Sequence, residues 1–283
     1  MTMSINTNAG AEVAAVAAQR ASAMMDEAML RLSTGKRINS AKDDAAGLAV
    51  ATRMAREIAG LSQSLRNAND AQGLIDTGES ALKEVHTLLL RMREIAVSAS
   101  SDTNTTADRA ALDTEVSALE TEISRIGDQT SWGGINLFTG DYDKDTKIRF
   151  HLGPTSSNYI DVTLGVVSIG AKGSDLQGSL SLTGSVTSRA NATAYMGGID
   201  AAISIISARR GNFGAVSNRL TSAISNLENM KASMITAKGQ VEDANYAEET
   251  AKLARAQILM QAATAMLAQA NASKNATLKL VTG

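Results

Sequence analysis

Cysteine is absent and proline occurs once in 283 residues. The first absence excludes disulfides and thiolate metal sites, and it suits any redox compartment, an exported one included. The second leaves few positions where a helix must break, so long uninterrupted helices are permitted. Aromatics make up only 3% of the chain, with a single tryptophan. Compact cores lean on aromatics and branched aliphatics. A chain rich in alanine and methionine instead suits close helix–helix contact. No sign of charge dominates: the net charge is −2, with 20% charged residues. That balance leaves no electrostatic footprint for nucleic acid. The length permits one or two domains. The start, MTMSINTNAGAE, has no basic n-region and reaches Glu12 before any apolar run, so no secretion signal is expected.

What is present is helical periodicity. Phe213, Val216, Leu220, Ala223, Leu227, Met230, Met234, Ala237, Val241 and Ala244 alternate spacings of three and four. Such a seam stays on one side of a helix and requires a partner helix. The next stretch, ARAQILMQAATAMLAQAN, has no charge between Arg255 and Lys274. Its seam is Leu253, Ala256, Met260, Ala263, Leu267 and Ala270, and Ile258, Ala262 and Ala265 form a second apolar side. That implies burial on several sides, more than one neighbouring helix provides. Gln257, Gln261, Thr264, Gln269 and Asn271 argue against a membrane span.

The N-terminal part matches it. From Glu12 to Leu32 the seam is Ala14, Ala18, Ala21, Met25, Ala28 and Leu32, widened by Val13 and Val16. Gly35 is a candidate left-handed cap. Ser40, with Asp43 and Asp44, is expected to cap a helix from about Ala41 to about Ser98. Its seams are Ile58, Leu61, Leu65, Ala68 and Ile75, then Leu74, Ala81, Val85, Leu88, Met92 and Ile95. Gly60, Gly73 and Gly78 weaken that helix and suit close backbone approach. A further helix follows, capped by Thr106 or Asp108, with Leu112, Val116, Leu119, Ile123 and Ile126 as its seam. QTSWGGINLFTG ends helical periodicity.

Alternation of period two then marks a hairpin, Lys147 to Leu152 and Ile160 to Leu164, around a loop holding the proline. Leu180 and Leu182 suggest another strand. Helical period returns from about Tyr195. The expected fold is mainly α. Long antiparallel helices form a coiled-coil-like bundle, with a small central β insert and paired N- and C-termini. The expected domains are 1–40 with 242–283 (terminal helices), 41–140 with 190–241 (helical core), and 141–189 (β-hairpin-rich insert).

At this point the sequence resembles bacterial flagellin, in a short form with a reduced middle. RLSTGKRINSAKDDAAGLAVA (Arg31 to Ala51) and RNANDAQ (Arg66 to Gln72) resemble the family's N-terminal signature. VEDANYAEET (Val241 to Thr250) and the uncharged stretch after it resemble its C-terminal one. Two long motifs at opposite ends, in the right order, are a specific signal. The resemblance implies a structural subunit that self-assembles into a helical homopolymer for swimming. It implies terminal helices lining the filament's channel, ordered on polymerisation, and an outward-facing middle. It also implies export by the flagellum-specific type III apparatus with a chaperone, and filament-cap and hook-associated proteins as partners. The alternative is a hook–filament junction protein. A membrane-active helical protein is disfavoured by the polar residues in the apolar helices.

Candidate sites follow. For self-assembly these are Val13, Val16, Met25, Leu32, Leu253, Ile258, Met260 and Leu267. LLRMREIAVSAS (Leu89 to Ser100) resembles the segment by which many flagellins engage the vertebrate flagellin-sensing Toll-like receptor, an innate immune receptor. Arg91, Glu94 and Ile95 match, and Glu115 adds to them; the segment departs at Leu90 and Ser98. An axial subunit contact is the favoured reading of these residues. An O-glycosylation region is expected at Thr155, Ser156, Ser157, Ser179, Ser181, Thr183 and Ser185. His86 and His151 are far apart in sequence and in different elements, and a metal site needs several convergent ligands, so solvated or packed histidines are expected. Glu248 and Glu249 with Lys252 and Arg255 read as ion pairs. No catalytic constellation, metal set or cofactor motif converges, so no enzyme, no cofactor, no nucleic acid and no membrane insertion are expected.

Overall fold

The structure is a computed structural model that describes residues 7–139, 147–153, 158–165, 167, 182 and 184–282. Five helices account for most of it: α1 (Ala9–Thr34), α2 (Ala45–Ala99), α3 (Thr106–Gln129), α4 (Arg189–Glu242) and α5 (Tyr246–Thr282). Two antiparallel hairpins interrupt them: β1 (Ser131–Trp132) with β2 (Ile135–Asn136), and β3 (Lys147–His151) with β4 (Tyr159–Thr163). The chain forms two compact units, 1–58 with 233–283, and 59–232. The helices α2 and α4 each contribute to both.

Local chemistry sets the boundaries. The side chain of Asn8 accepts the Ala11 N–H and so caps α1, which ends at Gly35 in the left-handed conformation (φ 70°). The cap of α2 is not Ser40. Asp43 draws the N–H groups of Asn39 and Ser40 into a turn, and the following Asp44 accepts the Gly47 N–H at 2.8 Å. The acid nearest the helix wins because its carboxylate reaches the free amide. The cap of α3 is Thr105, one residue before the expected position. It forms a reciprocal capping box with Asp108. Gly133 and Gly134, both at positive φ, form the two-residue turn of the β1–β2 hairpin.

In the larger unit, the core of α2 runs through Ala68, Ala71, Leu74, Ile75, Leu82, Val85, Leu89, Met92, Ile95, Ala96 and Ala99. Leu82 and Leu89 are fully buried, whereas Ala81 and Leu88 are only partly so. Leu74, Val85, Met92 and Ile95 of the expected seam are buried, and only at Ala81 and Leu88 does the next residue lie deeper. Periodicity locates an apolar face but does not decide which flank of a wide face lies deepest. The seam of α4 buries Phe213, Leu220 and Leu227, and leaves Met230 exposed. In the β3–β4 hairpin, Phe150 pairs with Ile160 and Ile148 with Val162 on the core side. Arg149 faces the other way, 2.9 Å from Asp161 and 3.9 Å from the Tyr159 ring centroid. Leu182 is buried but lies in no strand, and Leu180 lies outside the described residues.

Candidate self-assembly surface

The smaller unit is organised by α1 and α5. Alanines sit at 14, 21 and 28 on α1 and at 256 and 263 on α5, all buried. Half-buried residues at 11, 18, 25 and 32 alternate with the first set, and those at 253, 260, 267 and 270 with the second. Both helices therefore present seams of the coiled-coil period. Small residues at the deepest positions let the two helices approach closely.

Polar contacts fix the direction and register. At one end the Asn8 side-chain amide donates to the Ala270 carbonyl at 3.3 Å. At the other, Arg31 lies 3.4 Å from Glu249. Beyond it, the Arg37 N–H donates to the Glu242 carbonyl (2.7 Å) and the Ala244 N–H to the Gly35 carbonyl (2.9 Å). The pair is antiparallel and closed at that end by a short β-like bridge.

Two buried carboxylates hold this end. Lys36 Nζ approaches Glu242 at 2.5 Å and Lys238 Nζ at 3.2 Å. The Lys36 hydrogen bond is the main reason the Glu242 carboxyl titrates below its ordinary value, against the opposing effect of burial. Glu249 is only 4% exposed. Burial pushes its carboxyl up, but Lys252 at 2.8 Å and Arg31 together outweigh it, and the group titrates low. Lys252 also reaches Glu248 at 2.9 Å. Of the expected ion-pair set, Arg255 is the member that the described pairs leave out.

The candidate residues divide into two sets. Met25, Leu32, Leu253, Met260 and Leu267 lie half-buried on the seam between α1 and α5. Val13, Val16 and Ile258 face away from it; Val13 is 71% and Ile258 66% exposed. Met24, Met29, Leu30, Leu259 and Met266 are exposed as well. Val13, Val16, Arg20, Met24 and Leu259 line an open groove of about 570 Å³ along the pair. One chain thus satisfies the alanine seam and leaves the second apolar face of each helix bare.

In the larger unit, Arg91 donates to Glu115 on α3 at 2.9 Å and to Glu94 at 3.2 Å. These three side chains are solvent-exposed. Ile95 is 3% exposed and belongs to the core. The outward apolar residues of this segment are Leu90 and Val97, which residue matching alone does not single out. Of the expected glycosylation region, Thr155, Ser156, Ser157, Ser179, Ser181 and Thr183 lie outside the described residues. Ser185 shares a 2.9 Å hydrogen bond with Thr187. His86 lies on α2 and His151 at the end of β3. No cluster of three or more potential metal ligands occurs among the described residues, and none of the described helices is long and apolar enough to cross a membrane.

Residues 5–143 match the bacterial flagellin N-terminal helical region, and residues 196–281 its C-terminal helical region. A flagellin of Halalkalibacterium halodurans is 39% identical over 255 residues, covering 90% of this chain and 91% of that protein. The chain belongs to the bacterial flagellins. Polar flagellin F of Vibrio parahaemolyticus is 28% identical, with 99% of this chain and all of that protein covered. The crystal structure of Bacillus cereus flagellin is 28% identical, covering 60% of this chain and 94% of that one, with a TM-score of 0.48. This flagellin is a structural subunit of the bacterial flagellar filament, the polymer that serves swimming motility. Nothing favours a hook–filament junction role.

Proposed function

We propose that the filament is built by burying the second apolar face of α1 and α5 between copies. The observation that carries this reading is the bare face itself: Val13, Val16, Ile258 and Met266 are solvent-exposed on helices whose other side is already paired. Patches of this kind mark interaction sites. The contact joins unlike surfaces and does not close, so it generates a helical polymer. Because the α1–α5 seam is mostly alanine, the pair gains little from burial alone, and full ordering is completed on assembly. On this reading, 1–40 and 242–283 form the filament's inner layer. Residues 41–140 and 190–241 pack against neighbouring subunits, and 141–189 face outward.

Placing a charge on the bare face tests the reading. Val16→Glu or Ile258→Glu should leave the monomer's melting temperature unchanged and abolish elongation from filament seeds. Normal elongation by both variants would exclude the surface. We also propose delivery by the flagellar export apparatus with a chaperone, and contact with the filament cap and hook-associated proteins. For the Arg91–Glu94–Glu115 surface the proposed role is an axial subunit contact, and receptor-reporter cells separate it from innate-receptor recognition. O-linked sugars on the middle segment would raise the intact mass above 29.4 kDa.

A further inference from the structure

We propose that Met24 and Met266 are oxidation sites that control entry of a free subunit into the polymer. The inference rests on the reading that the bare face of α1 and α5 is buried between copies. Met24 lines the groove beside Val16 and Leu259. Met266 is 63% exposed and follows Leu259 by seven residues, which returns it to the same side of α5. Both thioethers therefore stand in water on the face that must be covered. Met25 and Met260 are partly shielded on the seam, and Met92 is sealed in the core of the larger unit. Met29 and Met230 are about as exposed as Met24, so it is position on the groove side of the pair, and not exposure alone, that singles out Met24 and Met266.

The chemistry is a two-electron oxygen transfer with a peroxide as oxidant. The sulfur lone pair attacks one peroxide oxygen, an S–O bond forms and the O–O bond breaks. With hydrogen peroxide the second oxygen leaves as water after a proton shift. Each thioether is oxidised by two electrons and the peroxide is reduced by two. The product is a strongly polar sulfoxide. In the free subunit that group is solvated, and folding is undisturbed. Beneath a neighbouring copy it must give up its water, a costly step for a strongly polar group on an apolar contact face. An oxidised subunit is therefore folded but unable to join. A subunit already in the polymer is protected, because the same contact that the sulfoxide would disrupt covers the sulfur.

The test uses purified full-length monomer and hydrogen peroxide. Peptide mass mapping should show Met24 and Met266 oxidised while Met92 stays intact. Elongation from filament seeds should then fall about tenfold or more, equivalent to about 1.4 kcal/mol. The melting temperature should hold, and treatment with both methionine sulfoxide reductases should restore elongation. Preformed filaments given the same peroxide should keep both sulfurs reduced. The M24L/M266L variant, close in volume, should elongate normally after peroxide, whereas M230L should remain sensitive. Should the double variant fail to assemble at all, reductase rescue of the wild-type protein decides. Wild-type monomer carrying both sulfoxides that elongates at the untreated rate would overturn the proposal. So would an M24L/M266L variant that assembles untreated and loses elongation like the wild type. If Val16→Glu and Ile258→Glu block elongation while oxidised wild type does not, only this inference fails. If both face variants elongate, the surface reading fails.

Discussion

Arg31 and Glu249 are 218 positions apart in sequence and lie 3.4 Å apart in the fold, with Lys252 on the same carboxylate oxygen at 2.8 Å. The contact ties the last turn of α1 to the first turn of α5. Glu249→Ala should lower the stability of the terminal helix pair by about 1–3 kcal/mol. The loss stays below that of stripping an isolated buried charge, because Arg31 keeps Glu27 and Lys252 keeps Glu248. Hydrogen exchange of the α1 amides is the measurement. Unchanged protection would show that the alanine seam alone holds the pair.

Glu242 and Glu249 also predict an acid response centred on this unit, because they are the depressed carboxyls that are buried, whereas Asp108 and Glu122 of the larger unit are open to water. Both carboxyls titrate below the ordinary glutamate value when folded. A carboxylate whose folded value is depressed binds fewer protons in the folded than in the unfolded state. Its stabilising effect is complete above the unfolded value and is lost as pH falls through the folded one. The terminal pair should therefore loosen as pH falls through and below the ordinary carboxylate range, while the larger unit, whose depressed carboxyls are solvent-exposed, responds less. An E242Q/E249Q variant should be weaker at neutral pH and should show a shallower acid slope. Asp43, also depressed by the backbone N–H groups of Ser40 and Asn39, keeps its own share of that slope.

Gly78 shows what a sequence can and cannot reveal about packing. A methyl group there would lie 2.8 Å from the Phe213 ring, which is fully buried, so the ring or the helix must shift. Gly78→Ala should destabilise the larger unit by about 1–3 kcal/mol, despite the better helix propensity of alanine. A denaturant melt that shows a gain instead would mean the ring moves freely.

The close approach at Gly73 and Gly78 was legible as a possibility, because glycine inside a helix invites it. Its partners, Trp132 and Phe213, were not, since each comes from a distant part of the chain. The α1 and α5 seams were legible residue by residue, because a strict three–four alternation of small residues has one helical solution. The α2 seam was legible at Leu74, Val85, Met92 and Ile95, but not between Leu88 and Leu89, which are equally apolar and ranked only by tertiary contact. The caps of α2 and α3 slipped for a similar reason: Ser40, Asp43 and Asp44, or Thr105, Thr106 and Asp108, all carry suitable oxygens. The bare face of Val13, Val16 and Ile258 was visible as surplus apolar surface, but its extent depended on knowing how little one partner helix covers.

Arg91 and Ile95 separate surface from scaffold within a single helical segment. Arg91 makes ion pairs with Glu94 and Glu115 that are open to water, and exposed pairs contribute about 0–1 kcal/mol. Arg91→Ala should therefore leave the monomer's melt almost unchanged. Any loss of axial filament contact or receptor signalling in that variant reports on the surface itself. Ile95 is buried among the core residues of the larger unit. Ile95→Ala should remove about 2–5 kcal/mol of stability through the cavity it leaves. A signalling defect in that variant would follow from partial unfolding rather than from a lost contact. Leu90→Ser and Val97→Ser probe the same surface without opening the core. Both should fold normally, and an assembly or signalling change in either would identify the exposed side of α2 as the contact. A severe loss of stability in the Arg91 variant, or none in the Ile95 variant, would invert this division.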